Sequence, residues 1–470
     1  MATTVTNTTF LFLCAILIAC IVRYARRGEN EAGTWIKDRV QLLSRSKLLI
    51  IVLVVGGAAG VATHVLVGYI GTGDLFQDFV GAKEFLAGRS MNPPSNMRER
   101  VDYWLGQQHM ESSSLVRWAP LRRMQAGSIE NMRSDTVIQG HPPFHILLIA
   151  PIVAVFGSIQ GTYLAIAAVN VAAYAGLLLL LWRSTPLPAL VPASAAALLC
   201  LLALDWQPLL ANLRQGQIHP LVGFFVIAGW YFLSRDQPWP AGILIGLAAL
   251  VKMFPGLLLF WLLLRRRRAF IAAVCTMFAA ALFLYSIRGP QPFIDYYDTV
   301  RSYEAQFGSG RENYSLSSVI TYVIAGPGAK SIWASAVVVL GDVLLLGYTA
   351  FLTLRKRKPT RIDTALEFSG FVVLACLMSP TVEAFYYPIL LLPIATLAGV
   401  VRPQAVLRGS IALLGILWCF SSPEQVVWLP TQALTPMLGA RLAFLLCSFP
   451  TFGMLALWYW IMRRQRTTAN

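Results

Sequence analysis

Charged side chains are scarce in this chain, since Asp, Glu, Lys and Arg make up 13% of its 470 residues while hydrophobic residues make up 57%. A water-soluble domain requires more polar surface than this composition supplies. Apolar runs of about 20 residues recur from end to end instead, which is the length that crosses a bilayer as a helix. The sequence therefore predicts an all-α polytopic membrane protein.

Several familiar motifs are also missing. The seven cysteines form no CxxC pair and no Cys/His ligand spacing, which argues against a disulfide framework and against a zinc site. No GxxxxGKS or GxxxxGKT loop occurs, so an ATP-driven transporter is not expected. Internal repeats are absent too, which argues against a secondary transporter built from two repeated halves.

The charges that are present form a pattern. The net charge of +16 comes largely from basic clusters between apolar runs, at 23–47, 265–268, 355–361 and 463–466. This placement is typical of cytoplasmic topology determinants, so no nucleic acid partner is expected. The first apolar run, 10–22, is followed rather than preceded by arginines, which predicts a reversed anchor helix and not a cleaved signal peptide.

Counting the apolar runs between these clusters gives about 12–13 transmembrane helices, because several runs are short enough to be re-entrant. Two polar segments, 71–140 and 288–330, then lie on the outer face. The first is expected to be structured, with a short helix at 78–86 and an interfacial amphipathic helix at 101–124. The runs are 10–22, 48–70, 143–157, 159–182, 187–204, 217–234, 240–264, 269–287, 331–353, 364–379, 384–401, 408–420 and 438–461.

Lys252 lies near the middle of the run 240–264, three residues before Pro255. A charge at that depth costs roughly 2.5–3.5 kcal/mol on insertion scales, so it normally faces a cavity, a partner or a substrate. The alternative is a structural lysine that snorkels or bonds a carbonyl at a helix end. Its distance from both ends of the run favours function. Gly242 and Gly246 on the same run predict close packing against a neighbouring helix.

Two carboxylates follow the second predicted span. Asp78 opens the short predicted helix, where it is an N-cap, a catalytic base or both. Asp74, after Gly71 and Gly73, is a weaker candidate for the base, and the alternative is a turn residue. A cation within a span and a carboxylate on the outer face together suggest a membrane enzyme with an anionic substrate.

The remaining candidates lie in polar or aromatic segments predicted to face the same side as Asp78. The amide-rich segment 211–220, between two apolar runs, either binds sugar hydroxyls or a phosphate, or is an ordinary loop. His141, at the mouth of a helix, is either an anion ligand or a structural turn residue. The candidates are Asn212, Arg214, Gln215, Gln217, His141, Arg311, Asn313, Glu383, Tyr386 and Tyr387.

Five short pieces, taken in order, resemble the GT-C superfamily of membrane glycosyltransferases, and most closely glycosyltransferase family 87. The resemblance covers about 48–462 and implies a GT-C fold. Under it, 1–47 is an additional anchor helix with a cytoplasmic linker, 48–264 is the catalytic module and 265–470 is a C-terminal helical module. The pieces are Asp78-Phe79 through Gly88, His141-Pro142-Pro143, Asn212 with Gln215-Gly216-Gln217, Lys252-x-x-Pro255 and Asn313-x-Ser315.

The resemblance implies a polyprenyl-phosphate sugar as donor, with mannose expected, and a glycolipid or glycan acceptor at the outer face of a bacterial plasma membrane. Asp78 would accept the proton of the attacking hydroxyl in an inverting transfer, and Lys252 would stabilise the leaving phosphate. Because the donor would be a monophosphate and the sequence has no acidic cluster, no metal and no other cofactor is expected. Arg214, His141, Arg311, Asn212, Gln215, Gln217 and Asn313 would help to bind the donor, and Asp74, Glu383, Tyr386 and Tyr387 would contact donor or acceptor.

Other classes stay open at this point. The same family includes an arabinofuranosyltransferase, so the sugar is not fixed. An intramembrane lysine also suits a secondary transporter, and a basic outer surface also suits a lipid flippase or a polysaccharide polymerase. Transfer from a radiolabelled polyprenyl-phosphate sugar would separate an enzyme from a transporter.

Overall fold

The computed structural model describes residues 75–91, 141–184, 207–307, 313–326, 331–356, 358–400 and 429–467, with a few single or paired positions between these ranges. All regular secondary structure in these ranges is helical, which confirms the all-α prediction. In chain order the helices are α1 (Leu75–Leu86), α2 (Pro143–Phe156), α3 (Ile159–Ser184), α4 (Gln207–Gln215), α5 (His219–Leu233), α6 (Pro238–Val251), α7 (Leu257–Arg265), α8 (Arg267–Arg288), α9 (Gln291–Phe307), α10 (Leu316–Ile324), α11 (Ile332–Arg355), α12 (Arg361–Leu377), α13 (Leu391–Val400), α14 (Leu429–Leu438), α15 (Ala440–Cys447) and α16 (Phe449–Thr467), with 3-10 segments at Phe254–Gly256 and Ala384–Leu390.

Three of the described helices, α3, α8 and α11, are long and apolar enough to cross a bilayer. A fourth crossing results if α15 and α16, which meet at 43°, count as one bent span. Shorter apolar helices, namely α2, α5, α6 and the segments at 254–265 and 384–400, accompany them. The chain is therefore a multi-pass membrane protein, as predicted.

Some predictions fall outside the described residues. These are the spans 10–22 and 187–204, most of 48–70 and 408–420, and the interfacial helix 101–124 apart from two residues. The count of 12–13 spans therefore stays a prediction, and so do the three modules.

The predicted span 240–264 is not one continuous helix. α6 ends at Val251, Lys252 adopts an extended conformation with φ −140° and ψ 132°, and a 3-10 turn leads into α7. Pro255 explains the break, because it has no N–H to donate to the carbonyl of Val251 and disfavours an α-helical residue before it. Lys252 lies at the junction of two short helices, so its predicted place in the middle of a span is wrong.

α6 and α7 form a hairpin whose two open ends lie side by side. Nη1 of Arg266, just after α7, is 4.0 Å from Oδ1 of Asp236, just before α6. Trp230 in the last turn of α5 stacks on the ring of Phe368, and Trp261 in α7 meets the same ring edge-on. The chain therefore returns to the end of the bundle from which α6 starts, and the α6–α7 junction lies at the other end.

Small residues let α6 approach α8 closely. A Cβ added at Gly242 would collide with the carbonyl oxygen of Ala269, and one at Gly246 would lie 2.9 Å from the carbonyl oxygen of Ala273. This confirms the predicted small-residue face of this helix. This close contact holds α6 in place against α8. The α6–α7 junction at the end of α6 is held with it.

The polar segment 288–330 contains two helices, α9 and α10. The hydroxyl of Tyr296 in α9 donates to Sδ of Met253 at 2.9 Å, so α9 packs beside the α6–α7 junction. The short helix predicted at 78–86 is α1, which begins earlier, at Leu75. It ends where Gly88 adopts a left-handed conformation with φ +79°, which confirms the predicted glycine stop.

Candidate active site

Asp78 lies in the first turn of α1 and is almost fully buried, with 1% of its surface exposed. Because α1 begins at Leu75, Asp78 lies inside the helix, and the predicted N-cap position is wrong. Phe76 and Phe79 beside it are also buried, so this face of α1 is turned towards the core. A carboxylate in such a place requires hydrogen-bond donors.

Two histidines at the start of α2 supply these donors. Nδ1 of His141 lies 2.8 Å from Oδ1 of Asp78, and Nε2 of His145 lies 2.9 Å from Oδ2. Pro142 and Pro143 fix the backbone between them as it enters the helix. The two imidazole rings are 4.1 Å apart between centroids. Each carboxylate oxygen is therefore held by one ring nitrogen.

The protonation states follow from burial and from these bonds. Burial raises the pKa of the Asp78 carboxyl, but electrostatic attraction and hydrogen bonds to His141 and His145 lower it more, so the net pKa lies well below the ordinary value. Burial lowers the pKa of His141 to about 3, against the opposing attraction of Asp78. At neutral pH Asp78 is a carboxylate and His141 is a neutral imidazole that donates from Nδ1.

Lys252, at the α6–α7 junction, is 6% exposed, and its Nζ donates to Oε1 of Gln217 over 3.4 Å. Gln217 is itself held, because its carbonyl accepts a 2.6 Å hydrogen bond from Nδ2 of Asn170 in α3. Gly216 makes the turn before it, with φ +67°. A Cβ at Gly216 would lie 2.6 Å from Cβ of Leu75, so α1 packs directly on this turn.

These contacts bring Lys252 and Asp78 into one site. The charge of Lys252 acts on His141, which connects the ammonium to the Asp78 side of the site. We call Asp78, His141, His145, Gln217 and Lys252 the polar cluster. It combines a buried carboxylate, a buried cation and hydrogen-bonding groups, which are the elements needed for transfer chemistry on an anionic substrate.

His219, the first residue of α5, lies beside this cluster and is 2% exposed. Its ring lies 4.4 Å from that of Tyr386 and 5.4 Å from that of Phe385, between centroids. Within the described part of the chain, neither of its ring nitrogens has a hydrogen-bond partner. The ring is packed among aromatic side chains.

Two of the predicted donor ligands tie loops together. Nδ2 of Asn212 donates to the carbonyls of Pro208 and Phe385, at 2.7 and 3.0 Å, which joins α4 to the 3-10 segment at Ala384–Leu390. Nδ2 of Asn313 donates to the carbonyl of Pro380 at 2.8 Å, and its Oδ1 accepts from the backbone of Val382 at 2.9 Å. Both asparagines therefore shape the walls near the site, and their contact with a donor stays a prediction.

Most of the other candidates lie in described segments of the chain. Arg214 and Gln215 are half-buried at the end of α4, and neither side chain makes a hydrogen bond within the described residues. Tyr386 lies against His219, and its hydroxyl is 3.4 Å from Oγ1 of Thr381. Tyr387 is buried against Phe420, and Glu383 precedes the 3-10 segment. Asp74 and Arg311 lie outside the described residues.

Sequence reasoning missed His145 and His219 as site residues. His145 follows His141 by one helical turn, so the i, i+4 spacing at the start of a helix could have identified it. His219 gave a weaker signal, a histidine just before a proline at the start of an apolar run.

Asp78, His141 and His145 also have the donor types of a metal site. One ligand atom from each lies within 4.8 Å of the others, and among the described residues they are the one group of three or more such side chains. Two imidazoles and a carboxylate suit a divalent transition metal. The sequence gave no such signal, because this group contains a single carboxylate and no Cys/His ligand spacing.

The helical bundle and its polar cluster define a polytopic membrane protein with a buried site that combines a carboxylate, a cation and two imidazoles. The sequence profile of glycosyltransferase family 87 matches residues 141–380, more than half of the chain, and the chain belongs to that family. The matched region contains His141, His145, Gln217 and Lys252, while Asp78 precedes it.

Two curated relatives carry the name polyprenol-phosphate-mannose-dependent alpha-(1-2)-phosphatidylinositol mannoside mannosyltransferase. The one from Mycobacterium tuberculosis is 27% identical over 203 residues, which are 40% of this chain and 46% of the relative. The one from Mycolicibacterium smegmatis is 35% identical over 94 residues, which are 19% of this chain and 21% of the relative. The matches thus span less than half the length of these relatives. No solved structure matches the chain significantly.

Proposed function

We propose that this protein is an inverting glycosyltransferase that moves a sugar, mannose in the first instance, from a polyprenyl-phosphate donor to a glycolipid acceptor at the outer face of the membrane. Membership of glycosyltransferase family 87 supports the reaction class. The names of the two relatives support the donor and the glycolipid acceptor. The observation that carries the assignment is the buried Asp78 carboxylate, bonded to two histidines near the ammonium of Lys252.

Asp78 is the general base. The acceptor hydroxyl attacks the anomeric carbon from the face opposite the phosphate, and its proton passes to the carboxylate as the new C–O bond forms. A positioned base is worth roughly 10²–10⁴-fold in rate. The hydrogen bonds from His141 and His145 hold both carboxylate oxygens in place, which orients the base and keeps it ionised.

Lys252 stabilises the leaving group. As the bond from the anomeric carbon to the phosphate oxygen breaks, its electron pair goes to that oxygen and the phosphate changes from one negative charge towards two. A fixed cation therefore stabilises the transition state more than the bound donor. The bond to Gln217 positions the ammonium before the donor arrives.

The direct test is transfer of radiolabelled mannose from polyprenyl-phosphate mannose to a glycolipid acceptor, by the purified protein in nanodiscs. Asp78→Asn should lower the rate at least about 100-fold, because the amide keeps the size but cannot accept the proton. Asp236→Asn is the matched control, since its side chain is 93% exposed and far from the site. Transfer from polyprenyl-phosphate arabinofuranose alone would refute mannose as the sugar, and no transfer from either donor would refute the function.

A further inference from the structure

His219 has a buried imidazole beside the polar cluster. It is 2% exposed, and both Nδ1 and Nε2 lack a partner within the described residues. Buried polar side chains in native proteins almost always have at least one partner. A histidine with two unpartnered nitrogens next to a substrate site therefore points to a bound ligand.

Aromatic rings fix the orientation of this imidazole. Tyr386 and Phe385 lie 4.4 and 5.4 Å from it between centroids, and Phe254 stacks at 6.5 Å with an interplanar angle of 24°. Ring contacts of this kind do not use the nitrogens on the edge of the imidazole. The ring is thus held in one place without using either nitrogen.

The position of His219 is set by two contacts between the same chain segments. Gln217, two residues before it, accepts from Lys252, and Phe254, two residues after Lys252, stacks on His219. The segments 217–219 and 252–254 therefore lie side by side. His219 is also within electrostatic range of Lys252 and Asp78.

We propose that His219 binds the phosphate group of the polyprenyl-phosphate donor together with Lys252. This rests on the proposed function. A neutral imidazole offers one N–H donor and one acceptor nitrogen. The N–H donates to a phosphate oxygen, and the other nitrogen accepts from a sugar hydroxyl. During transfer the phosphate oxygen takes the electron pair of the broken bond and the acceptor's proton goes to Asp78, so His219 keeps its proton.

The test compares binding of undecaprenyl phosphate with binding of undecaprenol to the full chain in nanodiscs. The ratio of the two affinities isolates phosphate recognition from contacts with the lipid tail. The wild-type protein should prefer the phosphate at least 10-fold, and His219→Phe, which keeps the ring and loses both nitrogens, should lose most of that preference. Undecaprenol should bind both proteins equally. Competition by millimolar inorganic phosphate would instead identify free phosphate as the ligand and refute the lipid headgroup.

Kinetics and stability separate this role from a structural one. His219→Phe should lower kcat at least 10-fold without lowering the melting temperature, and His219→Gln, which keeps an N–H donor, should recover part of the rate. Ser184→Ala is the control, because it removes another buried polar atom that has no partner among the described residues, at the far end of α3, and should change neither rate nor affinity ratio. Unchanged phosphate preference in His219→Phe would overturn this inference alone. A wild-type protein without any phosphate preference would overturn the proposed donor as well.

Discussion

The ammonium of Lys252 lies 3.4 Å from the amide oxygen of Gln217, across 35 positions of the sequence. Gln217 accepts at that side-chain oxygen, while its backbone carbonyl accepts a hydrogen bond from Asn170. The ammonium is thus held in part by a neutral dipole. Four predictions concern this site and the helices that hold it.

Lys252→Met should reduce transfer by about 10²-fold in kcat, because the charge on the phosphate grows along the reaction. The melting temperature should stay the same or rise, since the change relieves the burial of a charge. Donor kinetics and thermal unfolding in the same detergent check both. Lys252→Arg should recover part of the rate, because a planar guanidinium does not reproduce a compact ammonium. Lys358→Met, at an exposed position, is the control. An active but destabilised Lys252→Met protein would make the lysine structural.

The acid limb of the pH–rate profile should lie below the ordinary carboxyl range in the wild type. Asp78 acts as a base only when ionised, and its pKa is held well below the ordinary value. His141→Phe removes one of the interactions that lower this pKa while burial still raises it, so the pKa of Asp78 should rise. The acid limb should then move to higher pH. Profiles of kcat/KM from pH 4 to 8 measure the shift, and unchanged profiles would show that Asp78 is not the titrating base.

Transfer should survive EDTA. The proposed donor is a monophosphate, and Lys252 already supplies a positive charge for the leaving group. Rates before and after chelation, with the protein's metal content measured in both samples, give the answer. A loss of activity that Mn²⁺ or Zn²⁺ restores would assign Asp78, His141 and His145 as a metal centre, as their mutual distances allow.

Gly242→Ala should destabilise the protein by about 1–3 kcal/mol, a typical cost of overpacking. The added methyl would collide with the carbonyl of Ala269, so α6 must move away from α8 and displace Lys252 at its end. Transfer should fall along with the melting temperature. Gly347→Ala in α11 is the matched control, because its Cβ would meet no described atom within 4 Å. There the better helix propensity of alanine should leave the protein unchanged or more stable.

The sequence identified Lys252 as a candidate but not the local structure around it. A charge among apolar residues is visible in one dimension, which is why Lys252 was a candidate. The helix break beside it was not predicted, because hydropathy does not register a change of direction inside an apolar run, although Pro255 was present. The partners of Asp78 were missed for a similar reason, since His145 meets the carboxylate only after α1 packs on α2.

The hairpin closed by Asp236 and Arg266 changes how this chain should be mapped with reporter fusions. A hydropathy plot counts the stretch between these residues as one crossing and assigns its two flanks to opposite compartments. In the folded protein the two residues lie 4.0 Å apart, so tags inserted after either one would report the same compartment. Between them, the α6–α7 segment enters the bundle and returns, carrying Lys252 inward at its turn.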